Sequence, residues 1–257
     1  FLVRFLIALL KVKTVNFVEI ACAFGGQAKS DSSYKRIQRF FRSFPMDFTC
    51  IACLIVAMLP LTGLPWILTL DRTNWKLGHS NINILVLGIA YKGIAFPVLW
   101  TLLPKRGNSN TAERISLMER FIHLFGTEKI QCLTADREFL GEGWFSYVLL
   151  RGIPFRFRIR ENMKIANSRG IPTRARDLFH YLPLEHAQVL PERRLVDGHR
   201  LFVVALRLAN EYVILVSNHD PRTALLDYSR RWEIETLFEC LKSRGFRFEE
   251  THLTKPE

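Results

Sequence analysis

Two apolar segments of the chain end in the same way, with an aspartate followed by an arginine. They are ILTLDRT, which contains Asp71, and CLTADRE, which contains Asp136. Each is typical of a buried strand whose last residue is the aspartate. Further strand-like segments occur at residues 84–91, 95–102 and 154–159, and helical patterns occur at 112–125 and 143–151. Three strands, a helix, a strand, a helix and a strand predict an α/β fold, with a mixed sheet flanked by helices.

The pattern changes after residue 160. Two strand-like segments, 200–208 and 211–217, are separated by a tight connection, which is typical of a β-rich insertion. Asp220 and Pro221 then supply the cap and first residue of a last helix. The sequence therefore predicts four parts, which are a basic helical region at 1–62, a core at 63–159, a β-rich insertion at 160–219 and the end of the core at 220–257.

An uncharged run at residues 51–70 has the length of a membrane-spanning helix. Pro60, Gly63 and Pro65 interrupt this run at close spacing, which is unfavourable for one continuous helix. We therefore predict a buried helix to about residue 59, a turn, and a buried strand from Trp66.

The charge of the chain indicates a polyanionic partner. The 257 residues carry a formal charge of +12, and the pI is near 9.8. Nucleic acid is the first candidate for this partner and an anionic membrane surface the second. Region 1–62 fits DNA contact, because a helical pattern at residues 15–44 places four basic side chains away from its apolar face: Lys35, Arg36, Arg39 and Arg42. The alternative is a solvated basic face on a packed helix.

One stripe of the last helix combines four kinds of polar side chain. On a helix that turns about 100° per residue, Tyr228, Arg231, Glu235 and Lys242 project within a stripe about 60° wide. A separate apolar face contains Ile234, Leu237, Phe238 and Leu241. A lone carboxylate among a phenol, a guanidinium and an ammonium suits a site that holds a metal ion and a phosphodiester together. The alternative is a solvated face with incidental ion pairs.

The two aspartates complete a set of three carboxylates. If their strands are adjacent, Asp71 and Asp136 lie close together, and they repel each other unless a cation lies between them. Mg²⁺ or Mn²⁺ suits such oxygen ligands, and two ions stabilise both oxygens of an in-line phosphoryl displacement. Glu235 would be the third ligand. The alternative for each aspartate is a strand-end cap or a partner of Arg72 or Arg137.

The spacing of these residues resembles a known family. Tyr228, Arg231, Glu235 and Lys242 match the Tyr-(2)-Arg-(3)-Glu-(6)-Lys signature of DDE transposases of the insertion-sequence-four type. DRTNW at 71–75 and ADREF at 135–139 resemble the two aspartate motifs of the family, and the likeness extends over roughly residues 15–257. The resemblance implies a ribonuclease H-like core with a β-rich insertion before the last catalytic helix.

The resemblance also implies roles for the site residues. Asp71, Asp136 and Glu235 would bind the catalytic metal ions, and the phosphates of the transposon end would be bound by Tyr228, Arg231 and Lys242. Trp232 would stack on or displace a base, or else face the core. Weaker candidates for DNA contact or for orienting the carboxylates are Arg72, Asn74 and Arg137. Glu239, one turn beyond Glu235, is a second candidate ligand by geometry alone.

The implied function is cut-and-paste DNA transposition. Metal-activated water nicks the element's end, and the freed 3′-hydroxyl attacks the opposite strand, giving a hairpin, or the target DNA. The implied partners are double-stranded DNA with terminal inverted repeats and a second copy of the chain, in a bacterial cytoplasm at the nucleoid. A nucleotide cofactor is not expected, because no Gly-rich phosphate loop is present. A membrane is not expected either, because the uncharged run at 51–70 is interrupted.

Two alternative functions use the same fold. One is a stand-alone DNA endonuclease, and the other is an inactive or domesticated DNA-binding remnant. The chain begins at Phe1 and stops shortly after its last informative helix, so we expect a fragment of a longer protein.

Overall fold

A computed structural model describes residues 1–61, 63–77 and 80–250. Its α-helices are Leu2–Val12 (α1), Phe17–Cys22 (α2), Ser30–Ser43 (α3), Phe48–Met58 (α4), Thr111–Phe125 (α5), Glu142–Leu150 (α6), Ala224–Ser229 (α7) and Trp232–Glu239 (α8). Its strands are Trp66–Leu77 (β1), Ser80–Tyr91 (β2), Ile94–Leu103 (β3), Ile130–Ala135 (β4), Phe155–Ile159 (β5), Lys164–Ala166 (β6), Pro172–Arg174 (β7), Ala187–Val189 (β8), Arg194–Val196 (β9), His199–Arg207 (β10) and Tyr212–Ser217 (β11).

The central sheet has the order β3-β2-β1-β4-β5-β11-β10-β8, and β9 pairs with β10. The first three strands form an antiparallel meander, whereas β4 runs parallel to both β1 and β5. Short connections suffice for the meander, and the parallel pairs require the crossovers that α5 and α6 provide. The prediction of a mixed sheet flanked by helices is confirmed.

The segment predicted as a β-rich insertion extends this sheet. β11 pairs antiparallel with β5 and β10 pairs with β11, while β6 and β7 form a separate two-stranded sheet. Hydrogen bonds therefore cross the boundary predicted near residue 160, and the four-part division stays a prediction. Its boundary at residue 62 and its end at residues 251–257 lie outside the described residues.

Two apolar clusters account for most of the interior. The larger one packs α4, α5 and α6 against the sheet, and a smaller one joins α1, α2 and α3 through Phe5, Ile20 and Ile37. The run at 51–70 contains most of α4 and the start of β1, as predicted. The prediction that this helix is buried is wrong, because Ala52 is the buried residue of α4, whereas Leu54 and Met58 are 59% and 76% exposed. In the described part of the chain, no single helix is long and apolar enough to cross a membrane. α3 and α4 reach that length and apolarity only together, and the pair is bent by 105°.

β1 is longer than the sequence predicts. The prediction ends the strand at Asp71, but β1 continues to Leu77 because β2 pairs with it antiparallel over its length, with Asp71 opposite Val86. On its other side the parallel pairing with β4 ends where Leu70 lies opposite Ala135. Asp71 therefore lies inside a strand, at the point where the parallel half of its pairing stops.

The last helix is not continuous. α7 ends at Ser229 and α8 begins at Trp232, and the segment that follows α8, Cys240–Arg244, is a π-helix. Four N–H groups between residues 230 and 234 bond to the carbonyl three residues earlier, including that of Arg231 to Tyr228 at 2.9 Å. Residues three apart eclipse in this tighter geometry, so Tyr228 and Arg231 still share a face. The predicted apolar face is confirmed, because Ile234, Leu237, Phe238 and Leu241 pack against β2 and β3.

Candidate active site

The two aspartates lie at equivalent positions on neighbouring strands. Asp71 follows Leu70 and Asp136 follows Ala135, and Leu70 and Ala135 are the last paired residues of the parallel β1–β4 ladder. Neighbouring strands lie about 4.8 Å apart, so both carboxylates project from the same edge of the parallel pairing. The sequence expectation that these aspartates come from adjacent strands is therefore correct.

The last helical segments reach both aspartates. The Tyr228 hydroxyl donates to Asp136 Oδ1 at 3.3 Å. The Arg231 guanidinium donates from Nη1 to Asp71 Oδ2 at 3.4 Å and from Nη2 to Glu235 Oε1 at 2.7 Å. One guanidinium thus joins a carboxylate of the sheet to a carboxylate of α8, and the neighbouring phenol contacts the second aspartate.

Arg231 is the most enclosed charge of the site, with 4% of its side chain exposed. Burial opposes its charge, but Tyr228 and the carboxylates around it outweigh that effect and raise the pKa of Arg231. Its Nε is buried without a hydrogen-bond partner among the described residues. Its guanidinium carbon lies 4.8 Å from the ring centre of Trp232. Arg231 is therefore held as a permanent cation beside the carboxylates.

Lys242 and Glu239 occupy different surroundings on the same helical face. The Lys242 ammonium donates to the backbone carbonyl of Asn74 at 2.8 Å, which ties the π-helix to β1 three residues beyond Asp71. Glu239 pairs with Arg244 at 3.0 Å, and both side chains are exposed. The geometry therefore favours Glu235 over Glu239 as the third carboxylate.

The carboxyl group of Asp71 titrates far from its ordinary range. Burial raises its pKa from 3.8 to about 6. The Arg72 N–H, which donates to Asp71 Oδ1 at 2.7 Å, and the Arg231 charge oppose this increase, while Glu138 and Glu235 add to it. An ionised Asp71 is therefore unfavourable for the fold unless a further cation approaches it.

We expect Asp71→Asn to raise the free energy of unfolding at neutral pH. Because the folded state of the wild type binds the proton more tightly than the unfolded state, the stability from this group is fully present below about pH 4. That stability is lost as the pH rises through about 6, at a cost of up to about 3 kcal/mol. Urea denaturation in EDTA should show the variant more stable than the wild type at pH 7.5 and equally stable near pH 4. A constant difference across this range would contradict the assignment.

The donor set of the site suits a hard divalent cation. Asp71, Asp136 and Glu235 offer carboxylate oxygens, and the burial of Asp71 leaves its charge in need of a positive partner. Within the described residues, no three His, Cys, Asp or Glu side chains form a ready metal cluster. Arg231 lies between Asp71 and Glu235, so three-carboxylate binding requires its guanidinium to move aside.

Two buried arginines fix the elements that carry these groups, and the sequence reasoning did not identify them. Arg156 of β5 is 2% exposed and makes an ion pair with Asp227 of α7 at 3.1 Å. Its other acceptors are Phe155 O, Ser217 Oγ and Thr223 Oγ1. Because Asp227 precedes Tyr228, this pair holds α7 where the Tyr228 hydroxyl reaches Asp136. Arginines in a strand of alternating aromatic and basic residues, FRFRI, were the available signal.

Arg114 has the corresponding role for the loop after Asp136. Its guanidinium donates to Ser109 and to the carbonyls of Glu138 and Leu140, and it lies over the Phe139 ring. Arg72 completes the support through both carboxylate oxygens of Glu138, each at 3.2 Å. Arg72 thus orients Asp71 through its backbone, while its guanidinium is engaged within the protein.

Two predicted DNA-contacting residues are exposed. Trp232 has 56% of its surface exposed, so the alternative of a core-facing indole is wrong. Arg137 is also exposed and lines a small cleft beside Asp136. Both side chains are accessible to a ligand that approaches the carboxylates.

Comparisons with known proteins find a matching family model and a similar fold. A family model described as the transposase DDE domain matches residues 62–257. The piggyBac transposase, in a synaptic complex with hairpin DNA, is similar in structure with a TM-score of 0.55 and 14% identity, over 98% of this chain and 59% of that chain. This chain therefore spans about three-fifths of that relative. The shared fold confirms the expected ribonuclease H-like architecture.

Two further solved structures are more distant. The HTLV-2 integrase catalytic core domain in complex with magnesium has a TM-score of 0.29 and 20% identity, over 37% of this chain and 62% of that chain. The catalytic domain of human endonuclease V has a TM-score of 0.37 and 14% identity, over 77% and 94%. A search of curated proteins finds no match.

Proposed function

Because this chain belongs to the DDE transposase family, we propose that it cuts DNA at the ends of a transposable element and transfers the freed strands to target DNA. The observation that carries the proposal is the meeting of Asp71, Asp136 and Glu235 around Arg231 and Tyr228. A phosphodiester needs charge neutralisation from several directions, and this site supplies carboxylates for cations and fixed donors beside them.

The three carboxylates are the proposed ligands of Mg²⁺ or Mn²⁺, and we propose two ions. When bound, such ions activate the attacking water or hydroxyl and neutralise charge on the phosphate. Asp71 lies within β1 and Asp136 directly follows β4, and the pairing of these strands limits the movement of two of the three ligands. Glu235 comes from a helix end, and its half-exposed side chain leaves it free to adjust.

The basic and aromatic residues have separate proposed roles. Arg231, Tyr228 and Lys242 orient the scissile phosphate and its neighbours, since a guanidinium forms paired hydrogen bonds with phosphate oxygens. Arg231 must exchange part of its contact with the carboxylates for contact with DNA. The exposed Trp232 stacks on a base near the cut, and stacking tolerates any base.

The test uses DNA with the terminal sequences that flank the chain's own reading frame. We expect the purified protein with Mg²⁺ to cleave this labelled DNA and join it to a target plasmid, and we expect Asp71→Asn to abolish both products. Cleavage by the wild type without joining would indicate the stand-alone endonuclease. Binding without any cleavage would indicate the inactive remnant, and cleavage that survives Asp71→Asn would overturn the proposed mechanism.

Finer parts of the proposal depend on the spacing of the signature. Tyr228, Arg231, Glu235 and Lys242 support assignment to the insertion-sequence-four type. From that assignment we propose a homodimer assembled on terminal inverted repeats, at the nucleoid in a bacterial cytoplasm.

A further inference from the structure

A small cleft beside Asp136 concentrates positive charge. Its volume is about 270 Å³, and it is lined by three arginines, Arg137, Arg160 and Arg176, together with Glu161 and Asn162. Each arginine comes from a different segment, namely the loop after β4, the turn after β5 and the 3₁₀-helix Ala175–Phe179. All three side chains are exposed.

The backbone around the cleft is fixed by hydrogen bonds. The Arg176 N–H donates to the carbonyl of Glu161 at 3.0 Å, and the Met163 N–H donates to that of Arg160 at 3.0 Å. On the opposite side, the Phe139 N–H closes the loop after Asp136 by donating to the Asp136 carbonyl at 2.9 Å. The Cα atoms of the three arginines are therefore held in place before any ligand binds.

The charge of the cleft is mostly uncompensated. Among the described residues, Arg137 and Arg160 form no ion pair, and Arg176 reaches only the exposed Asp177, at 3.5 Å. The one carboxylate in the lining, Glu161, accepts a hydrogen bond from the Tyr212 backbone at 3.1 Å. Three guanidinium ions that converge on one cleft, with a single carboxylate in its lining, favour an anion with several oxygens.

We propose that this cleft binds a backbone phosphate of the DNA strand next to the scissile phosphate, on the side of residues 160–219. The proposal rests on the proposed function for its choice of DNA. Arg137 directly follows Asp136, about 3.8 Å away between Cα atoms, so a strand held at the carboxylates passes the cleft. The guanidinium groups come from a loop, a turn and a short 3₁₀-helix rather than from one helix or strand that could enter a groove, which favours phosphate contact over base reading.

The test measures binding of a labelled 30-base-pair duplex of arbitrary sequence over a range of sodium chloride concentrations. We expect the double variant Arg160→Gln with Arg176→Gln to weaken binding at least tenfold in 0.1 M salt. We expect it to reduce the slope of log K against log salt by about 1 to 2, because each lost phosphate contact releases one fewer counterion. The same change should occur with a second duplex of unrelated sequence.

The matched control is Arg174→Gln, an exposed arginine on β7 that does not line the cleft. We expect its affinity and slope to remain within twofold of the wild type. If the double variant behaves like this control while the wild type cleaves DNA, the cleft proposal is wrong and the proposed function stands. If the double variant loses slope as expected but the wild type cleaves no DNA, the cleft binds phosphate and the proposed function fails.

Discussion

Asp227→Ala is expected to lower the free energy of unfolding by about 3–5 kcal/mol, because it leaves the buried Arg156 guanidinium without its carboxylate. The two side chains are 2% and 7% exposed, so water cannot replace the lost partner. Thr223 would also lose the acceptor of its hydroxyl, at 2.8 Å in the wild type. Since Asp227 adjoins Tyr228, the same change should reduce catalysis in the molecules that remain folded.

The control for this prediction is a second ion pair, made by another arginine of β5. Arg158 of β5 pairs with Glu211 at 2.6 Å, but the Glu211 side chain is 45% exposed. Glu211→Ala should therefore cost less than about 1 kcal/mol, because solvent screens an exposed pair. Urea denaturation of the two variants and the wild type gives the comparison. Equal losses for Asp227→Ala and Glu211→Ala would show that the buried pair does not anchor α7.

Glu235→Gln should reduce metal-dependent DNA cleavage by about 10³-fold or more, whereas Glu239→Gln should leave most of it. Loss of one metal ligand removes several kcal/mol of charge stabilisation at the reacting phosphate. Glu235 shares Arg231 with Asp71, and Glu239 instead pairs with the exposed Arg244. Glutamine is isosteric with glutamate, and residues 235 and 239 lie on the same helical face, so the two variants are a matched pair.

The two variants are compared by their initial cleavage rates at saturating DNA and Mg²⁺. Thermal denaturation establishes that both variants fold. Glu235 is partly exposed, so its loss should change stability little. Wild-type activity in Glu235→Gln, or an equal defect in Glu239→Gln, would overturn the choice of the third carboxylate.

The parts of the fold that depend on local pattern were predictable. β4 agrees with its predicted bounds because a segment with five apolar or small residues out of six is bounded by a turn and by Asp136. The apolar face of α8 follows from its periodicity alone. The position of Asp71 and Asp136 after apolar segments was predictable from their shared apolar-to-acidic pattern, whereas the pairing that makes the two strands neighbours is shown by the structure.

The parts that depend on tertiary contact were not predictable. β1 continues beyond Asp71 only because β2 supplies hydrogen bonds on its other side, and no residue of DRTNW signals that pairing. The sequence pattern favours one continuous helix, but the structure breaks it between α7 and α8. Beside the break, Tyr228 contacts Asp136 and Arg231 contacts Asp71. Buried arginines resemble surface arginines in sequence, so the support from Arg114 and Arg156 required the packed structure.

The central claim is that Asp71, Asp136 and Glu235 bind a divalent cation together. Fe²⁺ that replaces Mg²⁺ at such a site generates hydroxyl radicals with ascorbate and peroxide, and these cut the nearby backbone. The account predicts protein fragments with ends near residues 71, 136 and 235 in the folded chain, all suppressed by excess Mg²⁺ and by Asp71→Asn. Cuts that avoid these three segments, or that persist equally in Asp71→Asn, would contradict it.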